Sequence, residues 1–285
     1  MSELSLPRAV GAALDDPDPG ERLTILAAGI PWSVLAWGDP GDRPLLLLHG
    51  VTSSARTWWR VGPAIAASGR RVLAPDLPGH GTTGHWTGRP AFRDTARDVA
   101  ALAAAAALGS DDLQVVGHSW GSRIAAALPA VGLRPATIVL VDPPALPHAL
   151  IAQVAADPDE RPSTDLGVAI RDLRASNPTW SEGDIEAKAE ALTQVDEMAA
   201  RAVVLDNGDW DAGLGDLQDP AAGGIPVWIV RGDPATGSYL PDDWLPRFEA
   251  VIGPGRIHTV HGGPHSPHRT HPVEVTAAIL HALED

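Results

Sequence analysis

Four short apolar runs, each closed by a turn residue, constrain this chain more than anything else in it. They are PLLLLHG, LQVVGHS, ATIVLVDPP and IPVWIVRGD. None alternates apolar with polar residues, so each reads as a strand covered on both faces. Between them lie amphipathic or alanine-rich stretches of helical pattern, notably FRDTARDVAALAAAAAL and GSRIAAALPAV. Strands alternating with helices at this spacing imply an α/β fold, with a mostly parallel sheet and helices on both faces. RLTILAAG and PWSVLAWG precede this rhythm as two further β-like stretches joined by a short turn, after a polar lead rich in proline and glycine.

The rhythm stops at Pro143 and resumes at IPVWIVRGD. Residues 143–224 carry no convincing strand and several helical stretches, the clearest being WSEGDIEAKAEALTQVDEMAARAVVL, opened by Ser181 and Asp184 in the manner of a capping box. The expectation is a core from residues 1–142 and 225–285, with 143–224 inserted between two strands as a helical cap.

Composition excludes several function classes. The 285 residues carry 21 basic and 36 acidic side chains, a formal charge of −15, which disfavours nucleic acid and anionic membrane surfaces as partners. Lys188 is the only lysine, and the scattered arginines read as coding bias. With no cysteine there is no disulfide, thiolate metal site or cysteine nucleophile. The N-terminus lacks a basic start followed by an apolar run, and no stretch reaches the ~20 apolar residues of a membrane helix, so a cytoplasmic location is expected. Pro178 spoils the one apparent glycosylation triplet at Asn177.

The chemistry is concentrated in Gly117-His118-Ser119-Trp120-Gly121, placed where a buried strand gives way to a helix. A turn this sharp forces its central residue into strained dihedrals, and the flanking glycines leave room for it. The serine hydroxyl then stands at the C-terminal edge of the sheet, and the N–H of Trp120 is free to face a developing oxyanion.

LLLLHGVTSS, APDLPGHG, VVGHSWG, WIVRGDP and HGGPHSPHRTHP follow one another in an order that resembles the α/β-hydrolase superfamily, from about residue 22 to the end. The resemblance implies a nucleophile, Ser119, followed in chain order by an acid and a histidine base. It places the base at His265, with His261 and His268 as fallbacks, although Pro264 stands where the usual loop has glycine. It places the acid at Asp233, after the strand IPVWIVRG, with Asp142 as the alternative. It places the second oxyanion donor at Val51, after His49-Gly50. No cofactor and no metal are implied: Pro264, Pro267 and Pro272 interrupt the histidine cluster, so it cannot line one helical face. Gly79-His-Gly-Thr-Thr-Gly84 matches a dinucleotide fingerprint, but prolines surround it with loop rather than a strand leading into a helix.

Ten tryptophans against two phenylalanines and one tyrosine suggest an aromatic pocket, with Trp58, Trp59 and Trp180 as candidate walls. The implied activity is hydrolysis, through an acyl-enzyme, of carboxylic esters or lactones of small to medium, uncharged, partly apolar substrates. Aspartate-nucleophile relatives are excluded by Ser119. C–C bond hydrolysis, cofactor-free haloperoxidase-like activity and acyl transfer stay open within the family, as does a ligand receptor built on the same scaffold. The partner is a small-molecule ester or lactone, and the sequence does not fix an oligomeric state.

Overall fold

The computed structural model describes residues 5–86, 89–109, 111–154 and 156–284. The first four residues of the lead, read above as lacking a secretory start, lie outside them.

Among the described residues, ten strands run in chain order as β1 (Glu21–Ala27), β2 (Ile30–Trp37), β3 (Arg43–Leu48), β4 (Arg70–Pro75), β5 (Gln114–His118), β6 (Thr137–Val141), β7 (Ala145–Leu146), β8 (Trp210–Asp211), β9 (Val227–Arg231) and β10 (Ile257–Thr259). Eight form one sheet in the order β1-β2-β4-β3-β5-β6-β9-β10. β2 runs antiparallel to both β1 and β4, and the other neighbours are parallel.

The apolar runs behave as their composition demands. Leu46, Leu48, Val115, Ile138, Leu140 and Ile229 join the core on one face of the sheet. Their neighbours Leu45, Leu47, Val116, Val139, Val141 and Val230 join the core on the other. Alternate side chains of a strand point to opposite faces, so a strand covered on both sides must be apolar throughout. The covering helices include Phe92–Ala105 and Trp120–Ala127 against the first core, and Val61–Ala66 and Pro272–Leu283 against the second.

Between β6 and β9 the chain forms helices His148–Val154, Leu166–Ser176, Glu182–Gln194, Glu197–Leu205 and Leu214–Leu217. The segment is not strand-free, because β7 and β8 pair antiparallel, two residues each, and are too short to leave a pattern in the sequence. The long helical stretch also breaks in two. Val195 adopts an extended conformation, and the Asp196 side chain accepts from Ala199 N–H to cap a new helix. At the other end, Ser181 caps Glu182–Gln194 by accepting from the Asp184 N–H. Helix Arg8–Asp15, in the stretch read as a polar lead, buries Val10 and Leu14 against the second core. Among the described residues no helix is long and apolar enough to cross a membrane.

Candidate active site

Ser119 follows β5 with φ 53° and ψ −118°, a conformation that costs a non-glycine residue on the order of 1–3 kcal/mol. The flanking glycines are there for space. A Cβ on Gly117 would lie 2.2 Å from the Gly121 carbonyl oxygen, and one on Gly121 would lie 2.3 Å from the Leu48 carbonyl oxygen. Backbone on backbone at that range leaves no soft neighbour to give way. Trp120 opens the following helix, so its N–H has no intrahelical acceptor, while its indole is fully buried against His80 and Trp86.

Three loops at the C-terminal edge of the sheet bring the partners in. His265 Nε2 lies 2.9 Å from Ser119 Oγ, and His265 Nδ1 lies 2.6 Å from Asp142 Oδ2. The Asp142 carboxylate accepts from Nδ1–H, which leaves Nε2 as the acceptor for the serine hydroxyl. The His118 ring, stacked beside His265, reaches the His265 carbonyl with Nε2 at 2.9 Å and fixes the loop from below.

The carboxylate that meets His265 is that of Asp142, and the expectation of Asp233 is corrected. Asp233 Oδ1 accepts from Ala235 N–H at 2.9 Å and Oδ2 from Gly262 N–H at 3.1 Å, which holds its carboxyl below the usual range. The first is the bond of an aspartate capping a proline turn, and the second ties that turn to the loop that precedes His265. Asp142, the alternative, precedes two prolines. Its φ of 42° swings the carboxylate off the end of β6, fully buried, where Gly232 N–H, Ser238 Oγ and Tyr239 N–H also donate to it. Neither fallback histidine reaches Ser119 or Asp142. His261 is exposed beside Asp233, and His268 is buried between Trp58 and the Thr57 hydroxyl.

On the opposite side stands the loop after β3. His49 accepts from Leu77 N–H at 2.8 Å through Nε2 and donates from Nδ1 to the Gly50 carbonyl at 2.7 Å. Burial lowers it to about 4, so it is a neutral brace for the turn. Val51 follows, lining the cavity, and Thr52 then takes φ 56°. The glycine-rich loop that mimicked a dinucleotide motif folds around a carboxylate of its own: Asp76 accepts from Ala55 N–H and Thr82 N–H, and a Cβ on Gly81 would lie 2.2 Å from Asp76 Cγ.

A cavity of about 560 Å³ opens over Ser119 and His265, beneath the helices that follow β6. Its walls differ from the expected aromatic ones. Trp58, Trp59 and Trp180 do not line it: Trp58 is buried in the second core, Trp59 donates from its indole to Asp184, and Trp180 lies over Arg269. Trp210 is the one tryptophan on the wall, and the apolar lining is otherwise aliphatic, with Leu146, Ile151, Val154 and Val204. Tyr239, stacked on His265 at 4.1 Å between centroids, also faces it, with its hydroxyl pushed up to about 12 by burial. Charged groups that no motif marks are present too: Lys188, Arg269 and Glu160, with Arg161, Arg201 and Glu197. The signal for Lys188 was its uniqueness; a lone lysine inside a helical stretch has no local pattern showing which way it faces. Among the described residues no group of three or more His, Asp or Glu side chains could hold a metal ion.

The model of the alpha/beta hydrolase fold family matches residues 43–197. Curated proteins give no match. Among solved structures the chain is similar to E-2-(acetamidomethylene)succinate hydrolase, at TM-score 0.78 and 20% identity over 93% of this chain and 99% of that one. It is similar to an N-formylmaleamic acid deformylase from Pseudomonas putida, at 0.71 and 22% over 91% and 100%. It is also similar to an esterase from a Rhodococcus species, at 0.70 and 19% over 93% and 98%. With more than half of its length matched by the family model, and its sheet, turn and loop order in place, the chain belongs to the alpha/beta hydrolase fold family.

Proposed function

We propose that this protein hydrolyses carboxylic esters or lactones through a Ser119 acyl-enzyme. The observation that carries the reading is the unbroken proton path from Ser119 Oγ to His265 Nε2 at 2.9 Å and from His265 Nδ1 to Asp142 at 2.6 Å, at the floor of a substrate-sized cavity. Ser119 attacks the carbonyl carbon while His265 takes its proton. Asp142 holds the imidazole in the required tautomer and stabilises its charged form. The N–H groups of Val51 and Trp120 stabilise the oxyanion, each contributing on the order of 3 kcal/mol at the transition state. His265 returns the proton to the leaving alcohol, then activates water to release the acid. The helices between β6 and β9 act as the cap that keeps bulk water from the acyl-enzyme.

The aliphatic and charged wall replaces the tryptophan pocket on which an uncharged substrate was expected, so that preference loses its support. The test is steady-state turnover of p-nitrophenyl esters of rising acyl length, with Ser119→Ala beside the wild type. Turnover with a burst of one p-nitrophenolate per Ser119, lost in Ser119→Ala, is the expected result. Multiple turnover surviving in Ser119→Ala would remove the mechanism.

A further inference from the structure

Two buried cations line the cavity. The Lys188 side chain, on helix Glu182–Gln194, is 2% exposed. Its Nζ donates to Thr52 Oγ1 at 2.9 Å and the Thr52 carbonyl at 3.3 Å, and pairs with Glu160 Oε2 at 2.9 Å. Arg269, four residues after His265, is 6% exposed. It donates to Thr57 Oγ1 at 3.2 Å and lies 4.4 Å from the Trp180 ring centroid. Among the described residues, no carboxylate stands within ion-pair distance of it, yet it faces the cavity.

A buried cation is expensive unless an anion meets it. Two acids share that duty. Asp184 is committed, its oxygens taken by the Ser181 hydroxyl and the Trp59 indole. Glu160 is differently placed: it hangs from a three-residue turn, Pro158–Glu160, with a third of its side chain exposed, and its carboxylate meets Lys188 and the Thr52 hydroxyl. Burial alone would raise its pKa, but Lys188 and Thr52 outweigh that and keep it ionised. The most exposed of the four charges is therefore a carboxylate paired with Lys188, inside the cavity.

We propose that Lys188 and Arg269 form a carboxylate-binding subsite, that Glu160 holds it when substrate is absent, and that the substrate is an ester carrying a free carboxylate which displaces Glu160. The inference rests on the hydrolytic reading above and names its substrate class. Position sets the length of that substrate. Thr52, which Lys188 grips, directly follows Val51, whose N–H faces the scissile carbonyl in the proposed mechanism, and adjacent Cα atoms are about 3.8 Å apart. A carboxylate at Lys188 is thus a few bonds from the reacting carbon, as in a half-ester of a diacid with about four to six carbons. Water adds across the ester C–O bond, giving the dicarboxylate, the alcohol and one proton. Charge favours the same ligand: Lys188, Arg161, Arg201 and Arg269 against Glu160 and Glu197 leave the wall at 4 − 2 = +2, in a chain of −15.

The experiment compares monomethyl and dimethyl glutarate by pH-stat titration. Wild type is expected to favour the monoester in kcat/KM by about tenfold or more, the range of a charge-assisted hydrogen bond. Arg269→Gln and Lys188→Met are expected to bring the ratio to about one or below. Glu160→Gln, which removes the resident anion, is expected to lower KM for the monoester several-fold; if the cation variants do not fold, this one decides. A wild-type ratio of one or less with the diester turned over overturns the subsite and leaves the hydrolase standing, as does an unchanged or raised KM in Glu160→Gln. If neither ester is turned over, calorimetric titration with glutarate decides: saturable binding weakened in Arg269→Gln upholds the subsite, and no binding overturns it.

Discussion

Asp142 meets His265 at 2.6 Å across 123 residues of chain, while Asp233, much closer in sequence, spends both carboxylate oxygens on backbone N–H groups, one in its own turn and one at Gly262. The two aspartates therefore separate in a kinetic experiment. Asp142→Asn is expected to lower kcat by about 10,000-fold, because the amide favours the wrong imidazole tautomer, with little change in KM. Asp233→Asn is expected to cost less than about tenfold, through a loosened loop. Equal losses in steady-state turnover of a p-nitrophenyl ester would contradict the assignment.

Gly232 controls where His265 stands. A Cβ there would lie 2.5 Å from the Pro264 carbonyl oxygen and 2.6 Å from that of Gly263, both backbone atoms. Gly232→Ala has to push the His265 loop outward. The expectation is a destabilisation of about 1–3 kcal/mol in urea unfolding and a loss in kcat of up to about 100-fold from a shift near 1 Å. A variant with wild-type kcat would show that the loop adapts freely.

Acid should unfold this protein early. Burial lowers His49 to about 4 and His80 to about 3, and drives His118 and His268 well below 6.5. The folded chain keeps these rings neutral while the unfolded chain protonates them, so the stability is complete above pH 6.5 and is lost as pH falls toward the folded values. Each ring contributes a slope of about 1.4 kcal/mol per pH unit in that window. Urea midpoints at pH 7.5, 6.0 and 5.0 should fall steadily, and His80→Phe should flatten the slope. An unchanged midpoint down to pH 5 would refute this.

Arg123 joins the helix behind Ser119 to the segment that returns to β9. Its guanidinium, 6% exposed, pairs with Asp211 at 3.0 Å and Asp216 at 3.4 Å. Removing the cation leaves Asp216, itself 8% exposed, with the half-exposed Arg93 at 2.9 Å as its remaining ion-pair partner. Arg123→Met is expected to destabilise by about 1–3 kcal/mol, whereas Arg123→Met with Asp216→Leu should recover part of it. Thermal unfolding of the two variants checks the difference.

The linear chain by itself determined the sheet, the sharp turn and the order of the loops. A strand covered on both faces must be apolar at every position, as Leu45–Leu48 and Ile138–Val141 are, and a backbone packed at 2.2 Å from a would-be Cβ must be glycine, as Gly117 is. Those demands are local, so the residues record them. Tertiary structure alone decided which aspartate meets His265, which tryptophans stay in the core, and that Lys188 and Arg269 face the cavity. Each depends on the direction of a side chain relative to a segment distant in the chain: a φ of 42° at Asp142, a helix break at Val195 that orients its neighbours, a turn that delivers Glu160 to Lys188. An aspartate before a proline reads the same whether its carboxylate caps its own turn or reaches across the sheet. Only the folded backbone distinguishes them.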